Sequence, residues 1–319
     1  MRIQDLHELP KFRDGLGYLY LEHGRIEQTM RAVEFFDKEG RVMVPAAALA
    51  VLMLGPGTCI THEAIKTLAD NGCLVMWVGE QGVRFYAQGC GETRKGMRLI
   101  RQAELVADPL KRVAVVRRMY QARFNQELEP DLTIEQIRGL EGVRVRKSYE
   151  DASHTYGILW RGRSYDRSNW RASDPVNRAL STANACLNGL CHSAIVSAGY
   201  APGLGFIHTG KHLSFVYDIA DMYKAETTIP LAFQLTADST VKLETRVRHA
   251  CRDLFYAKKL LGRIVNDIDH LLETPSDLDA DDNDPFADDP ALPAGLWGPD
   301  EEDGVGLVEG GVNYGGDGA

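Results

Sequence analysis

The sequence has little that would tie it to a membrane or staple it covalently. Its longest stretch free of charged and polar side chains, Val42–Gly57, falls short of the ~20 apolar residues a spanning helix needs and is interrupted by two prolines. No membrane span is expected. The first fifteen residues, MRIQDLHELPKFRDG, mix both charge signs and offer no apolar run for a signal sequence, so a cytoplasmic location is expected. Cysteine is scarce. The six (59, 73, 90, 186, 191 and 251) include no CxxC pair, which argues against a disulfide framework and a cysteine zinc site and leaves reduced thiols, mostly in the core. No internal repeat is visible. Lys and Arg are absent from Thr274 to Ala319, where thirteen Asp and Glu occur. That asymmetry changes the meaning of the net charge of -9, because residues 1–273 then hold 36 basic against 32 acidic side chains. A weakly basic body with an acidic tail can bind nucleic acid, since surface potential is local and screened beyond about 8 to 10 Å at physiological salt.

What is present divides the 319 residues into two domains and a tail. Residues 1–90 are punctuated by glycine and read as short strands at Gly17–Glu22, Arg25–Met30, Arg41–Pro45, Ala50–Leu54, Cys73–Val78 and Val83–Ala87. One amphipathic segment, Thr61–Asn71, interrupts them, with Thr61 as N-cap and Gly72 just past its end. From 91 to 273 the texture changes to long segments of helical period, starting near Thr93, Asp108, Thr133, Asp174, Leu213 and Val241. Residues 274–319 are rich in Asp, Gly and Pro without periodicity, and disorder is expected there. The fold class is therefore α+β: a β-rich N-terminal domain with one helix, an all-α C-terminal domain and an acidic disordered tail.

Three groups of residues could carry chemistry. In the first, the glycine-rich GYAPGLGF leads through His208 and Lys211 into a helix bearing Asp218, Asp221 and Lys224. Spacings of three place the two acids and the lysine on one helical face. Two carboxylates and an imidazole suit Mg²⁺ or Mn²⁺, and the absence of a thiolate argues against structural zinc. The alternative is that Asp218 and Asp221 are solvated helix acids and that His208 caps a helix or lines the core. The second group sets Glu141 among Arg138, Arg144, Arg146 and Lys147. Glu141 is either half of an intrahelical pair with Arg138 or Arg144, or a third metal ligand whose surrounding arginines are left for phosphates. The third, WRGRSYDRSNW at 160–170, alternates arginines such as Arg163 with aromatics such as Tyr165 and Trp170. Such loops hold unpaired bases by stacking and phosphates by charge, and they also serve as rigid connectors with the aromatics turned into the core.

Taken in order, these stretches give the chain a close similarity to CRISPR-associated protein one, the integrase of the spacer-adaptation complex, in its type I-E branch. The similarity spans residues 10–270 and is densest in RGLEGVRVR (138–146), WRGRSYDRSNW, GYAPGLGFIHTGKHLSFVYDIADMYK (199–224), MLGPGT and VMWVGEQGVRFYA. It implies a dimerising N-terminal β domain and a helical C-terminal domain that holds the metal. It also implies a Mg²⁺ or Mn²⁺ bound by Glu141, His208 and Asp221, with Asp218 a nearby essential acid and Lys224 steadying phosphate charge. The implied reaction is transesterification: a 3′-hydroxyl of captured DNA attacks a phosphodiester at the CRISPR repeat boundary, and water in its place would make the site a nuclease. The implied partners are double-stranded DNA with single-stranded 3′ ends, the CRISPR repeat, a second copy of the chain and a small companion subunit on which the tail docks. Arg41, Lys66 and Arg84 match positions that contact duplex backbone, Arg246 and Arg248 lie in a basic helical stretch, and Arg138, Arg146 and Arg163 join them as DNA contacts.

The chain departs from the resemblance at two places. The YLEHG strand carries His23 where a tyrosine commonly wedges the duplex end apart, and Cys59 and Lys66 stand in GTCITHEAIK where arginines are common. Within the tail, Leu296-Trp297 and Val305–Val308 are the main apolar islands, either of which would serve as an anchor by strand addition. The competing function is a DNA-capturing scaffold whose metal site is vestigial or only orders the helices. A small-molecule metal hydrolase would leave the arginine-aromatic loop unexplained.

Overall fold

The computed structural model describes residues 18–29, 32–44, 46, 49, 51–71, 73–79, 85–89, 96–124, 127–163, 174–275, 296–297 and 307–308. The N-terminal region is built from β1 (Tyr18–Leu21), β2 (Arg25–Thr29), β3 (Ala32–Phe36), β4 (Arg41–Val44), β5 (Val51–Leu54), β6 (Cys59–Ile60), α1 (His62–Asp70), β7 (Leu74–Val78) and β8 (Phe85–Gly89). All six expected strands are present, each within a few residues of the expected bounds. Periodicity missed β3, whose AVEFF run follows β2 so closely that the two read as one segment. It also missed the two-residue β6.

The strands form two four-stranded sheets, in the orders β1-β5-β7-β8 and β4-β3-β2-β6. In the first, β1, β5 and β7 run parallel and β8 joins β7 antiparallel. Parallel strands pack on both faces and so tend to be apolar throughout. VLML in β5 and LVMWV in β7 meet that requirement. Leu52, Leu54 and Val75 face a core shared with Ile26, Val33 and Phe35 of the second sheet and with Ala64 and Leu68 of α1. Val51, Met53, Leu74 and Met76 face the opposite way, towards Val196 of the helical region. Thr61 caps α1 as expected, its hydroxyl accepting from the Ala64 N–H at 3.3 Å.

The helical region comprises α2 (Met97–Ala107), α3 (Pro109–Phe124), α4 (Ile134–Tyr156), α5 (Pro175–Ser197), α6 (Ser214–Tyr223), α7 (Thr228–Asp238), α8 (Leu243–Ala257) and α9 (Leu260–Leu272). No strand interrupts it among the described residues. Its first described helix begins at Met97, Thr93 lying outside the described residues, and two breaks escaped the sequence reading. The segment from Leu213 divides at Thr227, with Pro230 in the first turn of α7, where its missing N–H costs nothing. The segment from Val241 divides at Lys259, which takes the left-handed conformation (φ 47°). α5 is the hub, buried along most of its length and packed by α6, α7, α8 and α9.

Among the described residues no helix is long and apolar enough to cross a membrane. Most of the expected disordered tail lies outside the described residues. The exceptions are Thr274, Pro275 and two residues from each apolar island, the island residues pairing as antiparallel strands β9 (Leu296–Trp297) and β10 (Leu307–Val308). Of the six cysteines, Cys59 is exposed and Cys73, Cys186, Cys191 and Cys251 are buried free thiols; Cys90 lies outside the described residues.

Candidate active site

The site forms where α3, α4, α6 and the loop after α5 meet. Loop 199–213 folds on itself and against α6 so closely that only glycine fits at 205: a Cβ there would lie 2.4 Å from the His208 carbonyl oxygen and 2.8 Å from Ser214 of α6. The buried Gln102 holds this loop from α2, accepting from the Ala201 N–H at 2.8 Å and donating to the carbonyls of Ala201 and Leu204 at 3.1 and 2.9 Å. Arg112 of α3 donates to the Phe206 carbonyl from two nitrogens, at 3.0 and 2.9 Å. Its other anchor is Asp218, whose side chain is fully buried. One Asp218 oxygen accepts from the N–H groups of Phe206 and Ile207 at 2.6 and 3.0 Å. The other accepts from the His208 N–H at 2.8 Å and meets His208 Nδ1 at 2.7 Å.

Asp218 therefore does not share the cleft wall with Asp221, as helical spacing had suggested. Its lone pairs are committed to the loop and to orienting the imidazole, whose Nε2 is left on the half-exposed side. The hydrogen bond to Asp218 raises the His208 pKa, helped by the Asp218 and Asp221 charges and opposed by burial.

Asp221, one turn on, faces charged neighbours. Lys224 donates to its Oδ1 and Arg123 lies 3.8 Å from its Oδ2. The same Arg123 nitrogen pairs with Glu141. Glu141 is thus half of no intrahelical pair with Arg138 or Arg144; its partner comes from α3. Tyr120, one turn before Arg123, is buried near Glu141, and burial together with that carboxylate's charge pushes the Tyr120 hydroxyl up to about 12, so it stays protonated. α4 is set in place by a reciprocal capping box between Thr133 and Gln136 and ends at Gly157 in the left-handed conformation (φ 64°).

Glu141, Asp221, Asp218 and His208 thus occupy one region, but the pairing with Arg123 and Lys224 keeps the donors apart. Among the described residues no three His, Cys, Asp or Glu side chains are close enough together to hold an ion. The donor types nonetheless fit a hard divalent cation, and the structure places a cation, the Arg123 guanidinium, between the carboxylates of Glu141 and Asp221. Arg123 and Tyr120 escaped the sequence reading. In one dimension they are ordinary residues of a helix end, and only the crossing of α3 with α4 gives them partners.

The other expected site residues divide by their surroundings. Arg138 and Arg146 are exposed on α4 beside Glu141. Arg163 is tied to α5, donating to the Asn177 side chain at 3.2 Å and to Ser181 Oγ at 3.2 Å. Arg246 closes the end of α7, donating to the Ser239 carbonyl at 2.7 Å, and Arg248 donates to Thr245 at 3.1 Å. In the strand-rich region Arg41 and Lys66 are exposed, with Arg41 lying over the Phe36 ring at 5.4 Å. His23 is exposed in a left-handed conformation (φ 56°), its N–H donating to the Pro56 carbonyl at 3.0 Å. Arg84, Tyr165 and Trp170 lie outside the described residues. Trp160, at the start of the same loop, stacks on Tyr149 with centroids 4.6 Å apart.

A strand-rich region joined to a helical bundle of this topology is shared with TM1797, a CAS1 protein from Thermotoga maritima (15% identity, TM-score 0.51, 82% of this chain and 97% of that one). A casposase bound to integration product has the same fold (14% identity, TM-score 0.54, 82% of this chain and 96% of that one). A family model for CRISPR associated protein Cas1 matches residues 122–253, the segment that holds Arg123 and the whole carboxylate cluster. The CRISPR-associated endonuclease Cas1 2 of Thermus thermophilus is 53% identical over 317 residues, 98% of this chain and 94% of that protein. The Escherichia coli CRISPR-associated endonuclease Cas1 is 40% identical over 268 residues, 84% of this chain and 88% of that protein. A crystal structure of a TtCas1-DNA complex superposes with a TM-score of 0.77 at 54% identity, covering 84% of this chain and 100% of that one. The chain belongs to the Cas1 family of CRISPR-associated endonucleases.

Proposed function

We propose that this Cas1 joins the 3′-hydroxyl ends of captured DNA to a CRISPR repeat by metal-assisted transesterification, as the type I-E adaptation integrase. The observation that carries the reading is the buried Asp218, one oxygen of which meets the His208 ring and backbone N–H while the other holds the Phe206 and Ile207 N–H groups beside it. A solvated helix acid has no such commitment. Glu141, His208 and Asp221 are the residues that would hold Mg²⁺ or Mn²⁺. Bound there, such an ion supplies activation of the attacking hydroxyl and neutralises charge building at phosphorus.

The chain's own groups do the rest. Asp218 holds the imidazole in one orientation through Nδ1. Lys224 balances Asp221 and stands ready to neutralise a non-bridging phosphate oxygen. In the reaction one phosphodiester bond forms to the incoming 3′ oxygen as another breaks to the departing one. The bond count is conserved, so no nucleotide is consumed. The exposed Arg138 and Arg146 border the site, and with Arg41, Lys66, Arg84, Arg163, Tyr165, Trp170, Arg246, Arg248 and His23 they make up the proposed DNA surface. The likeness to a Cas1 bound to DNA supports DNA binding as such. Dimerisation through the strand-rich region, action in the cytoplasm and docking of the tail on a small companion subunit complete the proposal.

The test is joining of a labelled DNA with free 3′ ends into a supercoiled plasmid carrying a CRISPR array, with companion subunit and Mn²⁺ or Mg²⁺. Asp221→Ala and His208→Ala are expected to abolish joining while DNA capture persists. Capture without joining by the wild-type protein under either metal would favour the DNA-capturing scaffold.

A further inference from the structure

Arg123 stands where two roles collide. Its Nη1 pairs with Glu141 and lies 3.8 Å from Asp221 Oδ2, while Lys224 takes the other Asp221 oxygen. All three groups around it are largely shielded from water, with side-chain exposures of 15% for Arg123, 20% for Glu141 and 18% for Asp221. Two carboxylates brought this close would repel in a medium that screens poorly, and the guanidinium removes the repulsion. A divalent cation of the magnesium type binds carboxylate oxygens at about 2.0–2.1 Å from itself and so needs the space between them that the guanidinium fills. Arg123 and such an ion are therefore rivals for the same oxygens.

We propose that Arg123 is a built-in counter-ion of the site: it holds Glu141 and Asp221 together without metal, and it must yield Glu141 for a divalent cation to be bound. This rests on the reading that Glu141, His208 and Asp221 hold the ion. Two consequences follow from its chemistry. The carboxylate pair is kept preassembled, so the fold does not depend on metal to bring α3, α4 and α6 together. Once displaced, the guanidinium is a planar cation with two free donors beside the reacting phosphate, suited to a non-bridging oxygen. Arg123 acts through the ligands and is in this sense a positioning residue that sets how tightly the ion is held.

The experiment is Mn²⁺ titration of the full-length protein without DNA, following the free-ion electron paramagnetic resonance signal, for the wild type, Arg123→Gln, Arg123→Lys and Glu141→Gln. Loss of the competing cation is expected to tighten Mn²⁺ binding by about tenfold in Arg123→Gln. Arg123→Lys keeps the charge that holds the helices together but reaches one carboxylate at a time, and it is expected to bind on the order of threefold tighter than wild type. It carries the test if the glutamine variant does not fold. A residue that merely braces α3 against α4 would weaken Mn²⁺ binding when replaced. Equal or weaker binding in both Arg123 variants, with Glu141→Gln losing the ion, overturns the proposal and leaves the ligand assignment standing. Wild-type protein that binds no Mn²⁺, or Glu141→Gln that binds as wild type does, overturns the ligand assignment and the proposal with it.

Discussion

Asp218 and Asp221 lie one turn apart on α6, and their surroundings divide the work between them. Asp218 is fully buried and accepts three backbone N–H groups as well as the His208 ring. Replacing it with asparagine turns one acceptor into a donor aimed at donors, and the expected cost is about 3 kcal/mol of folding stability. Asp221 is only 18% exposed, but its partners are Lys224 and Arg123 and not a set of backbone N–H groups, and Arg123 keeps Glu141 when it is lost, so Asp221→Asn is expected to cost less, about 1 kcal/mol. Both substitutions should end strand joining. Urea unfolding of the two variants side by side separates the roles, and equal destabilisation would mean that both acids serve the fold alone. Helical spacing showed that the two acids share a face. It could not show that the loop 199–213 would close over one of them and leave the other open, because that depends on Gly205, Gln102 and Arg112 acting from three separate elements.

At the scale of elements, the long helix α4 is aimed by its ends. Thr133 and Gln136 cap its first turn reciprocally, and Glu141 follows two turns later. Thr133→Ala is expected to cost about 1 kcal/mol and to lower the unfolding midpoint. An unchanged midpoint would mean that α4 is held by tertiary packing alone. This element was legible in the sequence because its start signal, its length and its terminal glycine are all local. The same holds for β5 and β7, whose short apolar runs between turn residues announced strands. The junctions at Thr227 and Lys259 were missed. At Thr227 the local signal, Pro230 in the first turn of α7, went unread, and at Lys259 the left-handed residue is neither glycine nor asparagine, so nothing local marked the break.

At the scale of the whole molecule, the strand-rich region meets the helical region at a buried aromatic contact. The Phe85 ring of β8 lies 3.8 Å from that of His192 in α5. Burial, with a smaller push from His212, lowers the His192 pKa from 6.5 to about 4. A histidine held neutral in the folded state gains its proton only on unfolding, so its contribution is fully present above about pH 6.5 and is lost as pH falls towards 4. The loss between pH 7 and 5 should be roughly 2 kcal/mol. Denaturant unfolding at the two pH values, with His192→Gln as the control, measures it. A control that keeps the full pH difference would assign the sensitivity to other groups.

Much about this protein was determined by the sequence alone: the change from strand to helix near residue 90 and the acidic tail are properties of neighbouring residues, set by composition and period. Spacing left the roles of Glu141, His208, Asp218 and Asp221 open, and only the family resemblance grouped them. Tertiary structure decided what those side chains do. Arg123 comes to Glu141 from eighteen residues away, and Asp218 is buried by a loop that begins on another helix. Electrostatic and hydrogen-bonding roles depend on distance and exposure in three dimensions, and these exist only once the helices have packed.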